Sequence, residues 1–230
     1  MRVIFHWHAF IEIENLDYSI LIDPFITWNS LCDISLDAIC SKNIKAVIVT
    51  HWHSDHIWDT VDIVRKTGAK VISTFEVIQY FIKYHHLTAV HSMHIGWYYD
   101  FGDFAVKFVN AVHWWSIGPE MLPWKAAWVV VFMNDKKIYH AWDTALHYDM
   151  KLLEKFDIDV AFLPIGDNFT MGIEDASKAV EFIKPKLVVP MHYDTFDVIK
   201  SDPYKFAEIV NMSNISTCKV LSPGEYLSFD

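Results

Sequence analysis

The stretch Thr50-His51-Trp52-His53-Ser54-Asp55-His56-Ile57-Trp58-Asp59-Thr60 constrains the fold more than any other part of the chain. It places four metal-ligand side chains, His51, His53, Asp55 and His56, within six residues, directly after Lys45-Ala46-Val47-Ile48-Val49. A run of that kind, rich in β-branched residues, reads as a buried strand. His51, His53 and Asp55 are spaced by two, so an extended backbone turns all three to one side. His56 is then expected to open a helix with Ile57, Val61 and Val64 on one face. Imidazole together with carboxylate suits zinc, manganese or iron. The plainer reading is a polar loop whose histidines cap the helix. Four ligand types at this spacing behind a strand outweigh it, where a lone HxH would not.

A chain of 230 residues suits one domain of ordinary size or two very small ones, and is long enough to bury a large core. With 53% hydrophobic residues and abundant aromatics it is not a disordered chain. The net charge of −10 argues against a nucleic-acid partner, although bound metal ions can still draw an anionic substrate to an acidic protein. Cys32, Cys40 and Cys218 form no CxxC pattern. A sparse, odd set of that kind points to free thiols in a reducing compartment. No apolar stretch approaches the roughly 20 residues of a membrane span. The N-terminus enters a strand pattern at once, without a signal-peptide layout. The expectation is a cytoplasmic protein with a small-molecule substrate and no membrane, a homo-oligomer being left open.

Strands are expected over 3–5, 9–13 and 18–22, the last closed by Asp23-Pro24. A loop with a short helix follows, then the strand and ligand loop, and a helix to about Lys66 stopped by Gly68. Further strands are expected at 70–73 and within 86–112, with a helix over 75–84 between them. Residues 113–125, holding Gly118, Pro119 and Pro123, read as an irregular loop. A hairpin turns at Asn134-Asp135. Helices over 150–156, 173–183 and 203–210 alternate with strands 160–163 and 187–189. A strand pair around Pro223-Gly224 closes the chain. The order fits two sheets covered by helices.

An apolar strand followed by a ligand-type residue recurs. Residues 108–112 lead to His113, 137–141 to Asp143, 187–191 to His192, and 18–22 to Asp23. Any one of these alone is an ordinary polar residue closing a strand. Beside the 51–56 cluster, His113, Asp143 and His192 form a set.

The loop HWHSDH resembles the HxHxDH motif of the metallo-β-lactamase superfamily. Leu21 to Phe25, Tyr139 to Leu146, Leu163 to Gly172 (LPIGDNFTMG) and Val188 to Phe196 (VVPMHYDTF) resemble its UlaG-like, ytkL-type metal-dependent hydrolases. That resemblance runs nearly the whole length and implies an α+β, four-layer αββα sandwich as a single domain over 1–230. It also implies two divalent ions, zinc first, with manganese or iron as alternatives. Carried over residue by residue, His51, His53 and His113 hold one ion, and Asp55, His56 and His192 the other. Asp143 bridges both. Asp23 stands behind them, orienting a ligand histidine, and His8 lines the site. Asp167, Asn168 and Thr170 are substrate contacts, turn residues or a subunit contact. Asp194 stands where asparagine is usual, which puts any contact made by that amide in doubt.

The implied reaction is hydrolysis of an ester, lactone or phosphoester by a metal-bridging hydroxide. Asp55 and Asp143 are the candidate proton acceptors, but both are committed to metal in that scheme, so no separate base is identified. A di-iron redox or dioxygenase enzyme and a non-catalytic metal-binding scaffold are the other readings. The chain also has ten tryptophans and only seven glycines. Trp7, Trp28, Trp52, Trp58, Trp97, Trp128 and Trp142 stand where the family pattern has glycine. Codons GGA and UGA differ by one base, and some genetic codes read UGA as glycine. One explanation of all seven is a gene whose UGA codons were translated as tryptophan.

Overall fold

The computed structural model describes residues 1–115 and 124–229. The turn residues Gly118, Pro119 and Pro123 expected within the 113–125 loop lie outside the described residues. In chain order the strands are β1 (Arg2–Phe5), β2 (Ile11–Glu14), β3 (Ser19–Ile22), β4 (Ile44–Ile48), β5 (Lys70–Thr74), β6 (Val90–Met93) and β7 (Tyr98–Asp100). They continue with β8 (Ala105–Trp115), β9 (Trp124–Met133), β10 (Lys136–His140), β11 (Val160–Pro164), β12 (Leu187–Met191), β13 (Thr217–Cys218) and β14 (Tyr226–Ser228). The helices are α1 (Leu36–Cys40), α2 (Ser54–Ile57), α3 (Thr60–Thr67), α4 (Phe75–His85), α5 (Ile173–Ile183) and α6 (Pro203–Ser213).

These elements form two compact units, one holding residues 1–94 and 222–229, the other 95–114 and 125–221. Each carries a seven-stranded mixed sheet. In the first, the order is β14-β1-β2-β3-β4-β5-β6. Its β14, β1, β2 and β3 pair antiparallel, and β3 to β6 run parallel. In the second, the order is β13-β12-β11-β10-β9-β8-β7. Its β10 to β13 run parallel, while β9 pairs antiparallel with β10 and β7 with β8.

The parallel halves explain where polar residues gather. Strands buried on both faces read as continuous apolar runs, and all of Val160–Pro164 in β11 is buried. The polar residues that end such strands then come out at one sheet edge. In the first unit β3 and β4 deliver Asp23 and Thr50 together, and in the second β10, β11 and β12 lead to Asp143, Gly166 and His192. In open sheets of this kind, ligands sit outside the carboxyl ends of the strands.

Four local expectations change. The helix expected from His56 starts at Ser54 and breaks into α2 and α3, with Gly68 closing α3 at φ 74°. The break falls at Asp59, whose carboxylate is bonded to a different loop. Residues 148–156 wind as a 3₁₀ helix rather than an α-helix. Strand β8 continues through His113 to Trp115, and β9 begins at Trp124, so residues 113–115 and 124–125 are strand rather than loop. The closing strands are not a pair. Cys218 runs parallel to Val188, whereas Tyr226 lies opposite Ile4 with the Gly224 amide bonded to the Phe5 carbonyl at 2.8 Å.

Candidate metal centre

In the first unit, β4 ends at Ile48 and the chain reaches His53 through a bend at Trp52, with His53 extended at ψ 147°. His51 is fully buried, and its Nε2 lies 2.7 Å from Nδ1 of His53. Two ring nitrogens at that distance either share one proton or turn their lone pairs to a common cation. Asp55 is not on the extended run, because α2 begins at Ser54. Helical backbone instead presents Asp55 and His56 one after the other, with His56 Nε2 3.7 Å from Asp55 Oδ2.

Asp23 is fully buried, in a left-handed backbone conformation at φ 47°. Its Oδ1 accepts from the Thr50 amide at 3.0 Å, and its Oδ2 from the Thr50 hydroxyl and from His56 Nδ1 at 2.9 Å. Burial pushes the Asp23 carboxyl above its ordinary range, and His56 and Thr50 pull against that. The bond fixes the His56 tautomer with its proton on Nδ1, which leaves Nε2 for a cation. His8, buried and at φ 58° in the turn between β1 and β2, places Nε2 3.0 Å from Asp55 Oδ2. One ligand atom from each of His8, Asp55 and His56 lies within 4.8 Å of the others.

Asp59 escaped the sequence reading. It is 1% exposed, and its Oδ2 accepts from the amides of Ile26 at 2.7 Å and Thr27 at 3.0 Å. It thereby ties the loop after Asp23 to the segment after the ligands. The available signal was a further acid in the same run, HWHSDHIWD.

In the second unit, His113 projects from within β8 rather than from its end. Its Nε2 lies 3.7 Å from Asp143 Oδ2, while His192 Nε2 lies 2.9 Å from Asp143 Oδ1. Each oxygen of one carboxylate, itself 3% exposed, therefore faces a different imidazole. His192 follows β12 at φ 53°. Gly166, which follows β11, packs directly on the His192 carbonyl.

The LPIGDNFTMG loop is tied mainly to itself. The Asp167 amide donates to the Met171 carbonyl, the Thr170 amide to the Asp167 carbonyl, and the Asn168 amide to Asp167 Oδ1, all at 3.0 Å. Asp167 and Asn168 both have positive φ, as expected of turn residues. Asp194 is a turn residue at φ 58° whose Oδ1 accepts from the Ser201 amide.

The seven tryptophans divide. Trp28, Trp58 and Trp97 are exposed. Trp128 is buried with its indole N–H unsatisfied among the described residues, and the Trp52 and Tyr80 ring centroids are only 3.2 Å apart. Aromatic pairs normally sit roughly 4.5–7 Å apart. Trp7 has φ 89° and buried Trp142 φ 24°, where a side chain is strained and glycine is not.

Imidazole and carboxylate donors with one histidine tautomer already fixed fit a borderline divalent ion. The comparisons agree with that chemistry. A family model described as a beta-lactamase superfamily domain matches residues 2–192. A UPF0173 metal-dependent hydrolase of Staphylococcus aureus strain JH9 is 41% identical over 235 aligned positions, covering 100% of both chains. Igni18, a metallo hydrolase from the hyperthermophilic archaeon Ignicoccus hospitalis, is 30% identical at a TM-score of 0.89, over 100% of this chain and 98% of that one. CmlA, a diiron β-hydroxylase from Streptomyces venezuelae, is 12% identical at a TM-score of 0.68, over 99% of this chain and 54% of that one. That last likeness is one of fold alone.

Proposed function

The chain belongs to the metallo-β-lactamase superfamily, among its metal-dependent hydrolases, and from that premise we propose that it holds two divalent ions, zinc first, and hydrolyses an ester, lactone or phosphoester of a small molecule as a UlaG-like enzyme. In this reading His51, His53 and His113 hold one ion and Asp55, His56 and His192 the other, following the family's ligand pattern. The observation that carries it is Asp143, whose two oxygens face two different imidazoles as a bridging carboxylate requires.

When bound, such a pair lowers the pKa of a water towards roughly 7 and polarises a carbonyl or phosphoryl oxygen. The chain's own residues supply the rest. Asp23 orients His56, and His51 and His53 bring two ring nitrogens within 2.7 Å of each other. Burial pushes the Cys32 thiol up to about 11 and the Cys218 thiol up to about 12, which disfavours a reactive thiolate at either. All three cysteines are free, which supports a reducing, cytoplasmic setting. No helix among the described residues is long and apolar enough to cross a membrane.

Di-iron redox chemistry is the second reading. A donor set of imidazole and carboxylate accommodates iron as well as zinc, because the ligand types overlap. Turnover of zinc-loaded and iron-loaded protein on panels of lactones, phosphoesters and thioesters separates the two. Hydrolysis by the zinc form, abolished in His53→Ala, supports the proposal. Turnover that needs iron and a reductant, with none by the zinc form, overturns it.

A further inference from the structure

We propose that His8 is itself a metal ligand, completing with Asp55 and His56 a set of two imidazoles and one carboxylate within the first unit. This rests on the reading of Asp55 and His56 as ligands and adds a donor that the family's pattern of seven does not include.

Three observations carry it. Asp55 Oδ2 lies 3.0 Å from His8 Nε2 and 3.7 Å from His56 Nε2. Donors roughly 2.1 Å from one ion stand roughly 3.0–3.4 Å apart, from six-coordinate to four-coordinate, so both distances lie close to the spacing one ion would impose. His56 donates its Nδ1–H to Asp23, so the nitrogen turned towards Asp55 and His8 is the one able to coordinate. His8 also sits in a turn at φ 58°, where a side chain is strained. Strain of that kind persists where the surroundings demand it and gathers at functional sites. The turn is held by the His6 amide on the Phe10 carbonyl and the Phe10 amide on the Trp7 carbonyl, both at 3.0 Å. Those bonds hold a fully buried imidazole against a carboxylate.

A positioning role, in which His8 merely donates a hydrogen bond to Asp55, makes a different prediction. Glutamine keeps a donor for Asp55 but has no ring nitrogen. The experiment loads wild type, His8→Ala and His8→Gln with Co²⁺, and records the affinity of each ion, the visible absorption and the hyperfine-shifted imidazole N–H signals in proton NMR. Wild type is expected to take two ions. Both variants should keep one ion unchanged, bind the other at least about tenfold more weakly, and lose one shifted imidazole signal at saturation. The absorption band of the weakened ion should move in both. Should His8→Ala lose its fold by circular dichroism, His8→Gln carries the comparison alone. Wild-type affinity, band and signal count in His8→Gln would assign His8 a positioning role and overturn the proposal. Wild type binding no cobalt would instead overturn the metal centre itself, and His8 with it.

Discussion

Gly166 lies so close to His192 that a β-carbon at residue 166 would collide with the His192 carbonyl oxygen and meet the Ile199 side chain at 3.0 Å. Gly166 follows β11 and His192 follows the neighbouring parallel strand β12, so the contact sets how His192 approaches Asp143. The obstacle is backbone, which cannot swing aside as a side chain would. Gly166→Ala should therefore shift His192 and weaken metal binding by roughly 10–100-fold, as loss of supporting contacts around a ligand typically does. Zinc titration calorimetry reads this directly. Wild-type affinity in Gly166→Ala would show that His192 does not depend on the contact.

Asp23 supports the other side of the same chemistry. Asp23→Ala leaves the Thr50 amide and His56 Nδ1 without their buried acceptor. Metal affinity should fall roughly 10–100-fold, with a loss of stability from the unsatisfied groups. Asp23→Asn, which keeps one acceptor oxygen, should fall between alanine and wild type. Equal affinity in all three proteins would remove Asp23 from the account.

A buried ionic network sets the pH limits of the fold. His6 Nδ1 lies 2.8 Å from Asp33 and its Nε2 3.0 Å from Glu12, so each ring nitrogen faces a carboxylate, an arrangement that favours the imidazolium. Burial works against that charge, but Asp33 and Glu12 outweigh it and raise His6 above its ordinary value. Burial likewise opposes the Glu12 carboxylate, but His6, Lys42 and Ser19 bring it down to about 2. A depressed acid stabilises above its unfolded pKa and loses that contribution as pH falls from the ordinary carboxylate range towards 2. A raised histidine stabilises below its unfolded pKa and loses its part as pH rises through the raised value. Denaturant unfolding of metal-free protein should therefore show stability falling at both ends, and Glu12→Gln should flatten the acid limb. An acid limb of unchanged steepness in Glu12→Gln would refute the assignment.

The tryptophans at positive φ should be less stable than glycine. Trp7→Gly and Trp142→Gly each relieve a conformation costing roughly 1–3 kcal/mol in a side-chain-bearing residue. At roughly 2–4 °C per kcal/mol for a chain of this size, Tm should rise by several degrees for each. Trp28→Gly, Trp58→Gly and Trp97→Gly, at exposed positions, should move it little. The codons give an independent check: UGA at all seven positions fits glycine recoded as tryptophan, and UGG there removes that explanation.

The ligand run from His51 to His56 was legible because its spacing is local and its chemistry is carried by residue type alone. Several strands of both sheets were legible as apolar runs ending in polar residues, while their parallel pairing emerges only in the structure. What was missed depends on distant partners. Asp59 reads as one more acid until Ile26 and Thr27 arrive against it, and Gly166 reads as a turn glycine until His192 does. His113 was placed at a strand end because 113–125, with Gly118, Pro119 and Pro123, read as an irregular loop, and β8 in fact continues to Trp115. The two short closing strands resembled a hairpin around Pro223-Gly224, but nothing in their own residues states that one joins β12 and the other β1.

The central claim is a two-ion centre in which His53 is a ligand. Elemental analysis of the protein purified without added metal, then again after zinc loading and desalting, tests it most directly. Two ions per chain are predicted for the loaded wild type, and one or none for His53→Ala with nearly all turnover lost. Two ions and full activity in His53→Ala, or a wild type that retains no metal after loading, would contradict it.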